Sequence, residues 1–362
     1  MMINTSRNET MFKAEEEKFP DHRTQVEIIL QAAFLGVIMF SSIFGNILIL
    51  LAIYINRHLR EVTSVFIANL ACADLLLSLI GMPFTLTSSI TYEWIFSSHW
   101  CKINGLSNSA FCIASMLSLA AVSIDRYVAI IKPLQYKLII TPRIVTMMIV
   151  YVWFQSISCA LLPIFGWSRY TYIRKESMCT GDWGYSIPYT LFIFTACFII
   201  PLLVMVYSYY HILKTAREHS RRIATTRLGQ LGNNPLQTAM AVPTVKRTSM
   251  LNSSRVSVLS VLQNNESKSR YIRDEKAAKT LLIVVGSFLF CWCPHFIGMT
   301  CLLFPSCSWP DEFYATTTWL AMMNSGCNPI IYGALNRRFR QSFKDIICCG
   351  RTKKRRAKSG PV

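Results

Sequence analysis

Charged residues are scarce in this 362-residue chain, where Asp, Glu, Lys and Arg together make up only 15% of the sequence. No charged residue occurs in 28–56, 103–124, 144–168, 183–213, 280–310 or 313–336, and 62–92 contains only Asp74. Each stretch exceeds the roughly 20 residues that a transmembrane helix needs. With 52% hydrophobic residues, the composition is too apolar for an ordinary soluble domain. The sequence therefore predicts an all-α membrane protein, a bundle of seven transmembrane helices.

Common catalytic signatures are also lacking. The sequence contains no nucleophile elbow, no phosphate-binding loop and no closely spaced pair of zinc ligands. We therefore expect no enzymatic activity and no organic cofactor. The first residues lack the basic region, short apolar core and cleavage site of a signal peptide, so we expect the first span to direct insertion.

Acidic residues are few, 19 against 37 Lys and Arg, which gives a net charge of +18. With seven spans, an extracellular N-terminus places most of the basic residues in the cytoplasm, as the positive-inside rule requires. Asn4 and Asn8 begin N-x-S/T glycosylation signals on the predicted outside. The sequence thus predicts a multi-pass plasma-membrane protein that contacts anionic lipids or an acidic partner rather than nucleic acid.

The chain divides into four regions. Residues 1–27 form an extracellular tail, 28–336 the bundle, 337–349 an amphipathic helix on the membrane surface and 350–362 a basic cytoplasmic tail. Within the bundle, residues 217–271 are polar and without periodicity, so we expect a disordered third intracellular loop. Cys348 and Cys349 beside the amphipathic helix are either palmitoylation sites or unmodified thiols.

The third span is expected to be the central helix. From Cys101 to Arg126 a helix of roughly 38 Å exceeds the ~30 Å hydrocarbon core. Polar and small side chains recur along one face, among them Asn108, Cys112 and Ser115. Such a stripe should face protein or water rather than lipid.

The ionised carboxylate of Asp74 would carry a high free-energy cost inside a membrane unless it is solvated, paired or protonated. Ser115, Asn324 and Asn328 could surround it, with Asn46 as a further candidate. Oxygen ligands suit a sodium ion, and the alternative is a protonated acid in a hydrogen-bond network. A transporter or ion pathway built on Asp74 is an alternative function, which the odd span count and the lack of an internal repeat disfavour.

Arg126 lies where the third span leaves the membrane. It has Asp125 beside it and a second possible partner, Asp274, at the base of the sixth span. A guanidinium released when helices separate would act as a switch, whereas the alternative is an arginine that merely reaches the interface. Pro294 and Pro329 are expected to kink the sixth and seventh spans.

These motifs give the chain a resemblance to rhodopsin-like (class A) G-protein-coupled receptors over residues 28–349. The matching segments are Gly45-Asn46, the run ending at Asp74, Asp125-Arg126-Tyr127, Trp153, Pro201 with Tyr209, Phe288 with Cys291-Trp292-Cys293-Pro294, and Asn328-Pro329 with Tyr332. The resemblance implies a Cys101–Cys179 disulfide and sodium held by Asp74, Ser115, Asn324 and Asn328. It also implies heterotrimeric G proteins, arrestin and receptor kinases as partners. Cys301 and Cys307 are a possible second disulfide pair.

The resemblance further implies activation by an outward movement of the sixth span. The residues involved would be Asp125, Arg126, Tyr127, Tyr209, Asp274, Phe288, Trp292, Pro294, Asn328, Pro329 and Tyr332. Arg126 and Leu134 would contact the G protein.

The predicted ligand pocket is aromatic and nearly uncharged. Its candidate residues are Asn108, Cys112, Trp183, Trp292, His295, Phe296, Tyr314 and Thr318, each of which could equally serve helix packing. The chain resembles the amine-receptor-like orphan subgroup, but Asn108 stands where amine receptors have an aspartate, so a typical monoamine is not expected. Asp182 is a candidate to supply that charge from the loop, and Met322 replaces the lysine that binds retinal in opsins. We expect a small neutral or weakly polar ligand, or a loop that acts as its own ligand.

Overall fold

A computed structural model describes residues 23–232, 280, 282–304, 307 and 309–348, with side chains in the first range as far as residue 218. The described chain is mainly helical. Its longer elements are α1 (Gln25–Ile55), α2 (Val62–Thr91), α3 (Ser98–Ile131), α4 (Pro142–Leu161), β1 (Tyr170–Ile173), β2 (Met178–Gly181), α5 (Ile187–Ile193, Phe194–Ile199 and Ile200–Gly232), α6 (Leu282–Cys301), α7 (Asp311–Leu335) and α8 (Arg337–Ile347). Short helices cover Arg57–Leu59, Tyr136–Ile139 and Arg174–Glu176.

Six helices of the described chain, α1 to α6, are long and apolar enough to cross a membrane. The seventh, α7, has 25 residues and packs against α1 and α2. It is less apolar because its buried face carries Asn324, Ser325 and Asn328. These polar atoms lie inside the bundle, where lipid cannot reach them. The seven-helix membrane fold is therefore confirmed.

Helix α3 is the centre of the bundle. It packs against α2, α4, α5 and both strands of the hairpin. Cys101 near its start and Asp125 near its end are both buried. We call the two ends of the bundle the Cys101 end and the Arg126 end.

Two features differ from the sequence prediction. Strands β1 and β2 form an antiparallel hairpin between α4 and α5, in a chain we expected to be all α. Helix α5 continues to Gly232, so the predicted disorder of residues 217–232 is wrong. The remainder of that loop, 233–271, lies outside the described residues, as do most of the N-terminal tail and the basic C-terminal tail.

Helix α8 follows α7 directly. The side chain of Asn336 accepts hydrogen bonds from the backbone N–H groups of Arg338 (3.0 Å) and Phe339 (3.5 Å), which caps the helix. The buried ring of Phe339 lies 5.7 Å from that of Tyr332. The apolar face of α8 therefore packs against the end of α7. This arrangement agrees with the amphipathic surface helix that the sequence predicts.

Local irregularities occur where helices meet closely. A π-helical turn, Leu77–Gly81, interrupts α2, and a second, Phe194–Ile199, precedes Pro201 in α5. Pro329 lies inside α7, as predicted, opposite Gly45 of α1. A Cβ atom at Gly45 would come within 2.6 Å of the Pro329 side chain, so this approach requires glycine.

Candidate functional site

The β1–β2 hairpin lies over the Cys101 end of the bundle. Cys179 on β2 is joined to Cys101 on α3 by a disulfide of 2.04 Å, the pairing that the resemblance implies. Tyr170 on β1 donates a hydrogen bond to the carbonyl oxygen of Ala160 on α4 (2.7 Å). The hairpin is therefore fixed to two helices at once.

A cavity of about 90 Å³ lies at this end. Seven of the eight predicted pocket residues line it: Asn108, Cys112, Trp183, Trp292, His295, Phe296 and Thr318. Most other lining side chains are apolar, including Ile113, Met116, Met178 and Met322. The cavity is small for a ligand site, since such pockets commonly measure roughly 300–1,000 Å³.

Two sequence expectations for this cavity are not met. Tyr314 is buried but does not line it, and its ring packs against Phe313 with Lys175 above it. Asp182 faces away and pairs with Arg169, with 2.7 Å between carboxylate and guanidinium. Asp182 therefore does not place a negative charge in the cavity, because its loop position turns it towards solvent.

Glu176 is the acid that lines the cavity, and the sequence reasoning missed it. It ends the helical turn between β1 and β2, and only 1% of its surface is exposed. Burial raises the pKa of the Glu176 carboxyl to about 8, because the loss of hydration disfavours the charged form. The signal in the sequence was an acid three residues before the disulfide cysteine, a position that gains meaning only once the hairpin is known.

Asp74 is the centre of a second buried cluster that joins four helices. Ser115 on α3 donates to Asp74 Oδ1 (2.8 Å), and Asn328 on α7 donates to Asp74 Oδ2 (2.8 Å). Ser78 donates to the Asp74 carbonyl (2.6 Å) and pairs with Ser42 on α1 (2.6 Å). The predicted grouping of Asp74 with Ser115 and Asn328 is therefore present in the structure.

Ser325 belongs to this cluster, whereas the predicted Asn324 does not contact Asp74. Ser325 donates to Asp74 Oδ1 (3.0 Å), and its carbonyl accepts from Asn46 Nδ2 (3.1 Å). One residue along a helix turns the side chain by about 100°, so a pattern that places a residue wrongly by one position selects a different side chain. The Oδ1 atom of Asn324 is buried without a hydrogen-bond partner among the described residues.

The oxygen atoms around Asp74 are suitable ligands for a small hard cation. They comprise one carboxylate and the hydroxyl oxygens of Ser115 and Ser325, while the buried Oδ1 of Asn324 is an unused acceptor. Oxygen ligands of this kind favour alkali and alkaline-earth ions. A single carboxylate favours a monovalent ion, and the described residues contain no group of three or more His, Cys, Asp or Glu that could hold a metal.

At the Arg126 end, the Asp125 carboxylate accepts hydrogen bonds from three sides. Arg126 reaches Asp125 Oδ2 through Nε (3.0 Å) and Nη2 (2.8 Å). Thr63 on α2 donates to the same oxygen (2.7 Å), and Tyr136 donates to Oδ1 (2.8 Å). The neighbour pair that the sequence predicted is therefore formed, and Thr63 and Tyr136 are the partners it missed.

Three other predicted switch residues, Tyr127, Tyr209 and Tyr332, lie towards the Arg126 end. Tyr127 packs against Tyr207 and His211 of α5, and Ser123 donates weakly to Tyr209 (3.4 Å). Tyr332 is buried near the end of α7. Asp274, the second predicted partner of Arg126, lies outside the described residues.

An aromatic column runs along α6 from the cavity towards the bundle core. Trp292 and Phe296 line the cavity with ring centroids 5.9 Å apart, and Phe288 lies one turn further at 6.3 Å from Trp292. Phe198 on α5 stacks on Phe296 at 3.7 Å. Pro294 lies between Trp292 and Phe296 in α6, at the position where the sequence predicts a kink.

The remaining predicted sites are at the surface or beyond the described residues. Leu134 is 92% exposed in the connection after α3. Cys301 and Cys307 form a second disulfide, and Cys348 is exposed at the end of α8. Asn4, Asn8 and Cys349 lie outside the described residues, so their modification stays a prediction.

The family described as "7 transmembrane receptor (rhodopsin family)" matches residues 45–332, which include both clusters and most of the bundle. The chain belongs to the rhodopsin family of seven-transmembrane receptors. The resemblance drawn from its motifs is thus confirmed.

Similar proteins agree with this assignment. The receptor is 32% identical to the alpha-1A adrenergic receptor of Oryzias latipes over 328 residues, which cover 89% of this chain and 67% of that protein. It is 31% identical to the histamine H2 receptor of Cavia porcellus, covering 88% and 79%. Squid rhodopsin shares the fold, with a TM-score of 0.74 over 90% of this chain and 87% of its own, at 22% identity. None of these similarities supports the transporter alternative.

Proposed function

We propose that this receptor transmits the occupancy of its Cys101-end cavity to heterotrimeric G proteins at its Arg126 end. In this proposal the N-terminus is extracellular, the protein resides in the plasma membrane, and α6 swings outward on activation. Arrestin and receptor kinases are the further partners expected of such a receptor.

The observation that carries the proposal is that one helix, α3, joins the two sites. Its Cys101 is bonded to the hairpin above the cavity, and its Asn108 and Cys112 line that cavity. Its other end carries the Asp125–Arg126 pair. The fixed end and the switch are therefore parts of a single 34-residue helix.

The aromatic column of α6 supports a mechanical link. A ligand that displaces Trp292 or Phe296 must also move Phe288, since packed rings leave little free volume. Bending at Pro294 would then move the part of α6 nearest the Arg126 end away from α3. Arg126 would become accessible to a partner.

We also propose that sodium binds beside Asp74. The carboxylate, the two serine hydroxyls and the amide oxygens of α7 support this, and the ion would neutralise the buried charge. The chain's own residues join α1, α2, α3 and α7 at this point, so the cluster would favour the closely packed arrangement of these helices.

The test is nucleotide exchange on purified G-protein α-subunits from each family, with membranes carrying wild type, Arg126→Ala or no receptor. We expect wild type to raise exchange on at least one α-subunit and Arg126→Ala to change that rate at equal surface expression. Equal exchange in all three membranes would refute the proposal. Asp182→Asn, which breaks an exposed ion pair at the opposite end, is the matched control.

A further inference from the structure

Glu176 is held in place from two directions. Cys179, three residues later, is bonded to α3, while Lys175 on the other side forms an ion pair with Asp311 of α7 at 3.0 Å. Lys175 is partly exposed, whereas Glu176 is buried and faces the cavity. The hairpin thus holds Glu176 in a fixed position in the cavity wall.

The carboxyl group of Glu176 has no hydrogen-bond partner among the described residues. Its Oε1 and Oε2 atoms are both buried. No Asp, Lys or Arg lines the described cavity wall, so no protein cation or second acid faces it there. Burying a polar group without a partner is destabilising, and a purely structural role for Glu176 would not explain that cost.

Two further polar side chains belong to the cavity wall. Asn108 uses its Nδ2 to donate to Asn104 (3.0 Å), and its Oδ1, unpartnered among the described residues, lies against Gly81 of α2. Thr318 Oγ1 on α7 is likewise buried without a partner there. The carboxylate of Glu176 and the hydroxyl of Thr318 are complementary to a ligand group that carries several N–H donors.

The walls suit a cation as well. The rings of Trp183, Trp292 and Phe296 line the cavity, and aromatic faces attract ammonium groups, most strongly when both are shielded from water. The volume of about 90 Å³ limits the ligand to a compact skeleton.

We infer that Glu176 is the ligand-binding anion of this receptor and that its ligand is a compact organic cation with an ammonium group. The negative charge thus comes from the hairpin, because α3 has the neutral Asn108 in the cavity wall. This inference rests on the proposed function, and it replaces the neutral ligand expected from the sequence.

Binding of such a cation requires the ionised form of Glu176. At neutral pH the buried acid holds a proton, so the ammonium group displaces that proton to solvent as it binds. The apparent affinity should therefore rise with pH between about pH 6 and about pH 8. The other titratable groups lining the cavity are His295 on α6, Cys112 on α3, and Tyr189 and Cys197 on α5. His295→Gln separates the contribution of the histidine.

The experiment measures thermal stabilisation of the purified full-length receptor by matched probes. Benzylamine, phenethylamine and pentylamine are each compared with the alcohol of the same skeleton. We expect at least one amine to stabilise wild type more than its alcohol, since a ligand that binds only the folded state raises its stability. Glu176→Gln should weaken the binding of that amine about tenfold or more. Glu176→Asp, which keeps the charge, should retain a preference for the amine, and Asp182→Asn should behave as wild type.

Equal effects of every amine and its alcohol on wild type would overturn the inference, as would undiminished amine binding by Glu176→Gln. The same preparations are assayed for nucleotide exchange. A receptor that drives exchange but does not prefer the amines rejects this inference alone. One that binds an amine through Glu176 but drives no exchange rejects the proposed coupling alone.

Discussion

Arg126 donates two hydrogen bonds to Asp125, the residue before it, with Nε and Nη2 lying 3.0 and 2.8 Å from Asp125 Oδ2. The same carboxylate also accepts from Thr63 and Tyr136, so α2 and the connection after α3 take part. Arg126 is therefore held by a carboxylate that the surrounding helices position.

Removing the charge of Asp125 should release Arg126. We expect Asp125→Asn to raise basal nucleotide exchange about tenfold, because a hydrogen bond between charged groups contributes roughly 1.5–3 kcal/mol. Exchange on purified α-subunits at equal surface expression measures this. Basal exchange at or below the wild-type level would contradict the role of the pair.

Leu134 should affect coupling without affecting stability. Its side chain is almost fully exposed, so Leu134→Ala should change the free energy of unfolding by less than about 0.5 kcal/mol. The same variant should lower nucleotide exchange if the G protein packs on it. Leu138→Ala is the matched control, because Leu138 is a similarly exposed leucine nearby. Equal losses in the two variants would argue against a specific contact at Leu134.

Sodium should stabilise the receptor through Asp74. We expect a higher unfolding temperature in sodium chloride than in choline chloride of equal ionic strength. Asp74→Asn should abolish this difference, and Ser325→Ala should reduce it because Ser325 contacts Asp74 Oδ1. Ser123→Ala, a serine of α3 near the Arg126 end, should leave it intact. A sodium effect of unchanged size in Asp74→Asn would exclude the site.

Glu176 should make the receptor less stable as the pH rises. The pKa of its carboxyl is raised from 4.5 to about 8 in the folded protein, so the folded state retains a proton that the unfolded chain releases. Stability linked to this group is therefore complete below about pH 4.5 and falls as the pH rises towards about 8. Unfolding temperatures across this range should fall more steeply for wild type than for Glu176→Gln. Parallel curves for the two proteins would show that Glu176 is not buried as a neutral acid.

Much of this molecule could be predicted from local patterns. Long uncharged stretches predict the spans because lipid offers no partners to backbone or charged groups. Asp74, the Asp125-Arg126 pair and the prolines of α6 and α7 stand out because each is costly in an apolar helix, so their presence indicates a specific role.

Other features depend on contacts between distant segments. The β-hairpin places Glu176 in the cavity while Asp182, only six residues later, pairs with Arg169 outside it. The packing of α7 against α2 decides that Ser325 rather than Asn324 meets Asp74. Hydrophobicity and charge act residue by residue, so the order of amino acids was enough to predict a seven-helix receptor. Which acid lines the cavity could be read only from the folded chain, because burial depends on how separate segments pack.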